Sequence, residues 1–163
     1  MKTVITGVIA GADSQARFLS GGDLQAVQGR LQRASAGLEA ASFITSNHES
    51  LTKEAVTGMA SKMPYLTQPG GLFNGATNQA KCARDVDYYL RFVSYCLVCG
   101  DTGPLDDYAI SGLREINRAF SLPASAYIDC LSSIKEKVKS SSLSPQAKTE
   151  AALYMDYLVN AMS

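Results

Sequence analysis

The sequence predicts an all-α protein, because apolar residues recur at helical spacing along nearly all of its 163 residues and strand signals are nearly absent. The length fits a single domain that can bury a core of its own. Turns rich in glycine, proline and serine divide the chain into helices of unequal length. Helices of this kind favour the crossed packing of a globin-like domain over a regular four-helix bundle.

The first two predicted helices form a hairpin. Residues 4–12 carry an apolar stripe on a helix too short to be stable alone in water, so this stripe must dock on another surface. Ser20 and Asp23 stand at the spacing of a capping box, ahead of a long helix. We expect residues 1–32 to be an appended helical hairpin and residues 33–163 to be the main domain.

The rest of the chain is predicted to hold helices separated by marked breaks. Asn47 and His48 are expected to interrupt the long helix that begins near residue 24, and Pro64 to end the helix that follows. Residues 65–77 form the clearest loop. The remaining helices are expected over residues 78–99, 105–111 and 113–120, from Pro123 to the serines at 140–142, and from Pro145 onward. The inward faces of the last two are predicted to carry Tyr127, Leu131, Ile134 and Val138, and Ala147, Ala151, Tyr154, Leu158 and Met162.

Charge and hydropathy exclude several classes of function. Fifteen basic and fifteen acidic residues cancel, so the chain has no electrostatic footprint for nucleic acid or for an anionic membrane surface. The longest apolar runs are far too short to span a bilayer. The first residues lack the apolar core of a signal peptide. We therefore expect the protein to stay in the compartment in which it is made.

Residues 81–91 concentrate the reactive groups of the chain on one predicted helix. Cys82 and Asp85 are three residues apart and share a face, beside a stripe of cations that includes Lys81 and Arg84. The thiolate is the nucleophilic form of cysteine, and we expect the neighbouring cations to favour it. The carboxylate can accept N–H groups from a cationic ligand, and the cations can bind the carboxylates of that ligand.

A linear tetrapyrrole has the features that this set of residues requires. It is conjugated, it carries propionate arms, its protonated form shares a positive charge over several N–H groups, and it forms a thioether with a thiolate. Eight tyrosines also suit the wall of a pocket for a large, flat, partly polar ligand. Taken singly, these residues are more ordinary: a buried small cysteine, an ion pair, a solvated charged face. Their combination favours the pigment.

Cys96 and Cys99 offer an alternative of another class. Their C-x-x-C spacing can hold a metal or perform dithiol chemistry, but a structural zinc site needs two more ligands, and Cys82 and Cys130 are isolated. His48 is the only histidine, and a surface role is the ordinary one at an expected helix boundary. No catalytic triad or haem site can be built on it. A third alternative is a globin-like interaction domain without pigment, which only the cysteine cluster opposes.

Several segments resemble the phycobiliproteins. The likeness covers essentially the whole chain and is carried by residues 1–3, 12–15, 17–20, 81–85, 88–91, 103–108, 114–118, 156–157 and 160–161. It is greatest to the α chain of phycocyanin, with the α chain of phycoerythrin as the alternative. Ala126, where phycocyanin α chains usually carry tryptophan, and Leu122-Pro123 and residues 47–49 lean toward phycoerythrin. The short loop 139–143, however, lacks the second attachment cysteine usual there.

The resemblance implies a globin-like domain with an N-terminal hairpin, acting as a light-harvesting subunit of the phycobilisome rather than as an enzyme. It implies one bilin in thioether linkage to Cys82, with Asp85 bonding the central pyrrole nitrogens and with Arg84 and Lys81 meeting the propionates. Phycocyanobilin is the default pigment, and phycoerythrobilin or another isomer is the alternative. Pocket-wall positions of the family match Tyr88, Tyr108, Phe120 and Tyr127.

The resemblance also implies partners. The hairpin of an α subunit packs on a β subunit, and Asp13, Arg17 and Arg91 match positions at that interface. Such αβ units build (αβ)3 and (αβ)6 rings, which stack into rods with linker polypeptides, and a bilin lyase loads the pigment. The assembly would lie peripherally on the cytoplasmic or stromal face of the photosynthetic membrane, with no transmembrane segment.

Overall fold

The computed structural model describes residues 3–163, with Arg114 described by its backbone alone; Met1, Lys2 and the Arg114 side chain, which belong to the resembling segments, lie outside the described residues. Within this range every regular element is helical, as predicted. The helices are α1 (Val4–Asp13), α2 (Gly21–Lys62), α3 (Ala76–Cys99), α4 (Gly103–Leu105), α5 (Leu113–Ala119), α6 (Ala124–Ser140) and α7 (Pro145–Met162). A 3-10 turn (Pro64–Leu66) follows α2, and a π-helical turn (Asp106–Ile110) follows α4.

The predicted capping box at the start of α2 is confirmed. Ser20 Oγ accepts the N–H of Asp23 at 3.2 Å, and the Asp23 carboxylate accepts the N–H of Ser20 at 2.7 Å. These bonds satisfy two backbone donors that a helix start leaves unpaired. They fix the point at which the chain turns from α1 into α2.

α2 is a single helix of 42 residues, so the break expected at Asn47 and His48 is wrong. The Asn47 side chain donates to the carbonyl of Phe43 at 2.8 Å, one turn earlier, which keeps it within the helix. His48 Nδ1 lies 2.5 Å from Oδ1 of Asp87 on α3, so this histidine joins two helices rather than marking a boundary. The expected division between residues 32 and 33 falls inside α2 and stays a prediction.

The core lies between α2, α3, α6 and α7, and α2 and α3 form its largest helix pair. All nine residues that the sequence predicted to face inward from α6 and α7 are buried. Tyr127, Leu131, Ala147 and Leu158 are among the residues with almost no exposed surface. The helical period of the sequence therefore predicted both inner faces. Among the described residues, no helix combines the length and the apolar character needed to cross a membrane.

A buried arginine ties α2 to the C-terminal end of α3. Arg30 donates to the carbonyls of Leu97 and Val98 at 3.1 and 2.8 Å, where the last turn of a helix leaves carbonyls unpaired. Gly100 ends α3 with a φ of +70°, and a Cβ there would lie 1.7 Å from Arg30 Nε. Gly37 permits the same close approach, because its Cβ would lie 2.6 Å from the Leu97 carbonyl oxygen. The position of α3 is thus fixed at this end by contacts with α2.

Candidate functional site

A cavity of about 590 Å³ lies between α3, α5, α6 and the loop that follows α2. Its volume falls in the range that proteins use for cofactors and other small-molecule ligands, roughly 300–1,000 Å³. All eight residues that the sequence predicted to hold a ligand line this one cavity: Lys81, Cys82, Arg84, Asp85, Tyr88, Tyr108, Phe120 and Tyr127. The structure therefore brings the whole predicted set together.

The cavity also has walls that the sequence analysis missed. They are formed by Leu72, Phe73, Asn78, Tyr89, Ala109, Leu113, Ile116, Asn117 and Leu122. Phe73 is buried and meets Tyr127 edge to face, with ring centroids 6.1 Å apart. The sequence signal for this wall was the apolar pair Leu72-Phe73 in a glycine-rich loop, of which Phe73 is buried and Leu72 is exposed. Loops usually run over the surface, so a buried apolar loop residue indicates packing against the rest of the domain.

α3 presents Cys82 and Asp85 on one face, as their spacing predicted. The Cys82 side chain points into the protein and is 1% exposed. Asp85 lies one turn later, with 29% of its side-chain surface exposed. Lys81 and Arg84 lie on the outer flank of the same helix, exposed to solvent. Along one edge of the cavity the thiol therefore lies deepest, the carboxylate lies nearer the surface, and the two cations lie in solvent.

The expectation that Lys81 and Arg84 favour the Cys82 thiolate is wrong. Burial raises the pKa of the Cys82 thiol to about 11, and the negative charge of Asp85 raises it further. Arg84 does not offset this effect, because its guanidinium is turned toward Asp85. The pigment-free chain thus holds Cys82 as a protonated, shielded thiol at neutral pH.

Asp85 is held by donors from two helices. Arg84 donates from Nη2 and Nε to Oδ1 at 2.8 and 3.1 Å, and the Tyr127 hydroxyl donates to Oδ2 at 3.2 Å. Both carboxylate oxygens therefore accept bonds within the chain. A ligand that brings several N–H donors to this carboxylate competes with these partners.

Aromatic residues form both the floor and the rim of the cavity. Tyr127 is 1% exposed and meets Tyr89 edge to face at 5.8 Å. Burial raises the pKa of Tyr127 far above its ordinary value and that of Tyr89 to about 12, so both phenols stay neutral donors. Tyr88, Tyr108 and Phe120 lie at the rim, and each has about half or more of its surface exposed. A flat ligand in the cavity would cover part of this apolar surface.

The residues predicted at a subunit interface do not line this cavity; Asp13 and Arg17 lie in the hairpin, and Arg91 lies on α3. Asp13 ends α1 and is exposed. Arg17 Nη1 bonds Asp23 Oδ2 at 2.5 Å within the hairpin turn. The Arg91 guanidinium lies 4.1 Å from the ring centroid of Tyr88, in a cation–π contact. Nothing in these positions assigns a partner, so their interface role stays a prediction.

The apolar stripe of α1 is largely without a partner inside the described chain. Only Ala12 of this helix is buried, whereas Ile5 and Ile9 are 41% and 54% exposed. Leu24 and Leu31 on the facing helix are exposed as well. An exposed apolar surface of this kind is typical of a protein–protein contact.

The remaining cysteines do not form a reactive site. Cys96 and Cys130 are buried, and burial raises the pKa of each to about 12. Burial also raises the pKa of Cys99. These thiols are protonated at neutral pH, which opposes the alternative of a dithiol or metal-binding function. In the part of the chain that the structure describes, no three histidine, cysteine or acidic side chains come close enough to hold a metal.

Residues 7–162 match the sequence profile of the family described as "Phycobilisome protein". The chain belongs to this family. It is therefore a light-harvesting phycobiliprotein and not an enzyme, and its helices form the globin-like fold of phycobiliproteins with an N-terminal hairpin extension. Proteins of this family carry covalently bound linear tetrapyrroles, and their α subunits pair with β subunits.

The phycobiliprotein is similar over its whole length to phycoerythrin α chains. It is 44% identical to the C-phycoerythrin class 1 subunit alpha of Synechococcus sp. (strain WH7803), with all of both chains covered. It is 46% identical to the R-phycoerythrin alpha chain of Pyropia tenera and 43% identical to the B-phycoerythrin alpha chain of Rhodella violacea, again with all of both chains covered. These relatives do not support the phycocyanin type that we favoured from the sequence, and they support the phycoerythrin alternative.

Proposed function

We propose that the chain is a phycoerythrin-type α subunit of phycobilisome rods that carries one bilin on Cys82 and passes excitation energy toward the photosystem. The observation that carries this proposal is the convergence of all eight predicted ligand residues on a single cavity. The cavity fits a linear tetrapyrrole, since it combines a thiol, a carboxylate, exposed cations and aromatic walls. The pigment supplies the visible absorption and the excited state, and the protein supplies its position and rigidity.

Cys82 is the proposed anchor. Addition of its S–H across a carbon–carbon double bond of the pigment forms the S–C bond and places the proton on the neighbouring carbon, with no net oxidation. The thiol must lose its proton first, and its burial and the nearby Asp85 charge oppose that loss. Attachment thus requires an agent that opens the cavity or supplies a base, which is the role we assign to a bilin lyase.

Asp85 is proposed to accept the N–H groups at the centre of the pigment and to stabilise its protonated form. Arg84 is then proposed to leave Oδ1 and to turn toward a propionate, because its planar guanidinium can donate two parallel bonds to a carboxylate. Lys81 lies about one helical turn before Arg84 on the same exposed side of α3. Its ammonium group is proposed to form an ion pair with a propionate. Each cation then stays paired while Asp85 changes partner.

The aromatic side chains are proposed to hold the pigment rigid. Tyr127 is fixed by its contacts with Phe73 and Tyr89 and by its bond to Asp85. Tyr88, Tyr108 and Phe120 are proposed to close over the exposed side. A tight fit restricts rotation of the pigment's rings, so that excitation leaves by transfer to a neighbouring pigment instead of being lost as heat.

We assign one pigment to the chain, and phycoerythrobilin is the isomer we expect. The relatives are phycoerythrin α chains, so phycocyanobilin, the default drawn from the phycocyanin resemblance, becomes the alternative. Cys96 and Cys130 are fully buried, and residues 139–143 hold no cysteine that could carry a second pigment. The two isomers have the same mass and differ in conjugation, so a visible spectrum distinguishes them.

We also propose that residues 1–32 pair with a phycoerythrin β subunit, with Asp13, Arg17 and Arg91 at the contact. The exposed apolar surface of α1 supports this proposal, because it must be covered in the functional protein. The αβ unit would build (αβ)3 and (αβ)6 rings that linker polypeptides join into rods. The rods would lie peripherally at the thylakoid membrane.

Co-expression with bilin-synthesising enzymes and a bilin lyase tests the proposal. The wild-type chain is expected to become coloured and to keep its pigment through denaturing electrophoresis, where zinc-induced fluorescence detects it. Cys82→Ser should carry none. Cys130→Ser is the matched control, since it removes a buried thiol from the neighbouring helix, and it should load fully. Covalent pigment on Cys82→Ser at the wild-type level would contradict the assignment.

A further inference from the structure

Asn117 on α5 carries a buried polar atom without a partner. Its Oδ1 is shielded from solvent, and no donor in the described part of the chain bonds it. The residue nevertheless lines the proposed pigment cavity. A buried carbonyl oxygen without a donor is costly, and a natural protein that keeps one usually has a specific reason.

The C-terminal end of α5 fixes the position of Asn117. The N–H of Leu122 donates to the Asn117 carbonyl at 2.8 Å, and the N–H of Ser121, whose φ is +53°, donates to the Arg118 carbonyl at 3.3 Å. These two bonds form a Schellman motif, in which the residues at the positions of Asn117 and Leu122 commonly make an apolar contact. The chain has placed a polar amide where the turn itself favours an apolar side chain.

The surroundings of Asn117 in the cavity are apolar. Among the described side chains, α5 and the turn after it contribute Leu113, Ile116, Phe120 and Leu122 to the cavity wall, and the Asn117 amide is the one polar group among them. The charged groups of the cavity, Lys81, Arg84 and Asp85, all belong to α3. A ligand that spans the cavity therefore meets a second, neutral polar group on the α5 wall.

A terminal lactam ring has the chemistry that matches this amide. A lactam carries an N–H and a C=O side by side on one edge, and a primary amide offers an acceptor and a donor in the complementary order. With attachment at Cys82, one terminal ring of a linear tetrapyrrole would lie next to the thioether, and its central N–H groups would face Asp85. The free terminal ring remains as a second lactam that needs a partner.

We propose that Asn117 binds the free terminal lactam of the pigment through paired N–H···Oδ1 and Nδ2–H···O=C bonds, and so sets the orientation of that ring. This inference rests on the proposed attachment at Cys82. Rotation about the Cβ–Cγ bond of Asn117 turns Oδ1 toward the cavity, which the residue already lines. The partner missing from the pigment-free chain is then supplied by the ligand, and the ring loses its freedom to rotate.

The test compares Asn117→Leu with Asn47→Leu in the pigment-loaded chain. Asn47 is a matched control because its amide donates to the Phe43 carbonyl at 2.8 Å and does not line the cavity. The pigment is labelled with ¹⁵N, and its N–H signals are recorded by NMR together with the fluorescence yield. In Asn117→Leu we expect the terminal lactam N–H to shift and to exchange faster with solvent, and the fluorescence yield to fall at least twofold. The signals of the N–H groups at Asp85 and all signals of Asn47→Leu should stay as in the wild type.

The stability of the pigment-free chain gives a second measurement, in which the substitution of Asn117 should be harmless and the control substitution should be harmful. Asn117→Leu removes an unpartnered polar atom, so its urea midpoint should equal or exceed that of the wild type. Asn47→Leu should lower the midpoint, because it removes a part-buried bond made within the chain. Unchanged N–H signals in a fully loaded Asn117→Leu chain, or a lowered midpoint without pigment, would overturn the role of Asn117. Absence of pigment from Cys82 in the wild type would instead overturn the proposed function.

Discussion

The hydroxyl of Tyr127 donates to Asp85 across 3.2 Å and joins α6 to the helix that carries Cys82. The other oxygen of Asp85 is held by Arg84 at 2.8 Å. The Tyr127 bond therefore orients the carboxylate proposed to meet the centre of the pigment before the pigment arrives. Orienting a binding group in advance reduces the free energy spent on ordering it during binding.

Replacement of Asp85 by asparagine should separate attachment from colour. Asp85→Asn keeps the size of the side chain and Cys82, so covalent loading should persist. The visible absorbance per loaded chain should fall to about half or less and its maximum should shift, because the protonated pigment loses its charged partner. Absorption spectroscopy of pigment-normalised samples measures both effects. Asp87→Asn is the control, since Asp87 pairs with His48, and a wild-type spectrum for Asp85→Asn would remove Asp85 from the site.

Tyr127→Phe should destabilise the pigment-free chain. The substitution keeps the ring contacts with Phe73 and Tyr89 and removes only the donor to Asp85. The free energy of unfolding should fall by about 1 kcal/mol, the usual contribution of such a bond. Urea denaturation followed by circular dichroism gives the value. The same change at Tyr65, whose side chain is 61% exposed, should have no measurable effect. Equal losses at both positions would mean that the Tyr127 bond contributes nothing specific.

Alkaline pH should destabilise the pigment-free chain through its buried thiols. Burial raises the pKa of Cys82 to about 11 and those of Cys96 and Cys130 to about 12. Unfolded thiols titrate near pH 8.5, roughly, so above that pH the unfolded state binds fewer protons than the folded state. The free energy of unfolding then decreases as pH rises, by up to about 1.4 kcal/mol per pH unit for each thiol. The full stability should be present below the unfolded pKa and be lost progressively toward pH 11.

Urea denaturation at a series of pH values from neutral to alkaline measures this slope. Cys130→Ala should make it shallower, because one buried thiol no longer titrates. Attachment of the pigment should have the same effect, since the sulfur of a thioether carries no proton. A stability that stays constant across this range would show that the thiols are not shielded as the structure indicates.

The exposed stripe of α1 should be required for pairing but not for folding. The double variant Ile5→Ser/Ile9→Ser should keep its helical circular dichroism, because both side chains are largely exposed. Its affinity for a phycoerythrin β subunit should fall at least tenfold, measured by analytical ultracentrifugation. Leu153→Ser on α7 removes a side chain of similar exposure and is the control. Undiminished pairing of the double variant would place the β contact elsewhere.

The helical spacing of apolar residues predicted the helices and their inner faces better than it predicted where the helices end. The stripe from Tyr127 to Val138 is buried as expected, because helical spacing alone places it on one face. The break expected at Asn47 and His48 does not occur, because their side chains bond Phe43 and Asp87 instead of ending the helix. Polar residues in mid-helix can be read as a boundary when their distant partners are unknown.

The sequence predicted eight of the residues that line the cavity but not the electrostatics of the cavity. Spacing along one helix sufficed to place Cys82 beside Asp85. The pKa of Cys82 depends on how deeply the thiol is buried and on the direction of the Arg84 side chain, and neither follows from neighbours in sequence. Phe73 and Asn117 reach the cavity from a loop and from a separate short helix. Their contribution depends on tertiary packing and could not be read from local spacing.

Attachment of the pigment at Cys82 is tested most directly by intact-mass analysis of the protein from its native source, followed by mapping of the modified peptide. The expected mass is that of the polypeptide plus one linear tetrapyrrole, with the whole addition on the peptide that contains Cys82. A mass equal to the bare polypeptide, or pigment mapped to Cys96, Cys99 or Cys130, would contradict attachment at Cys82.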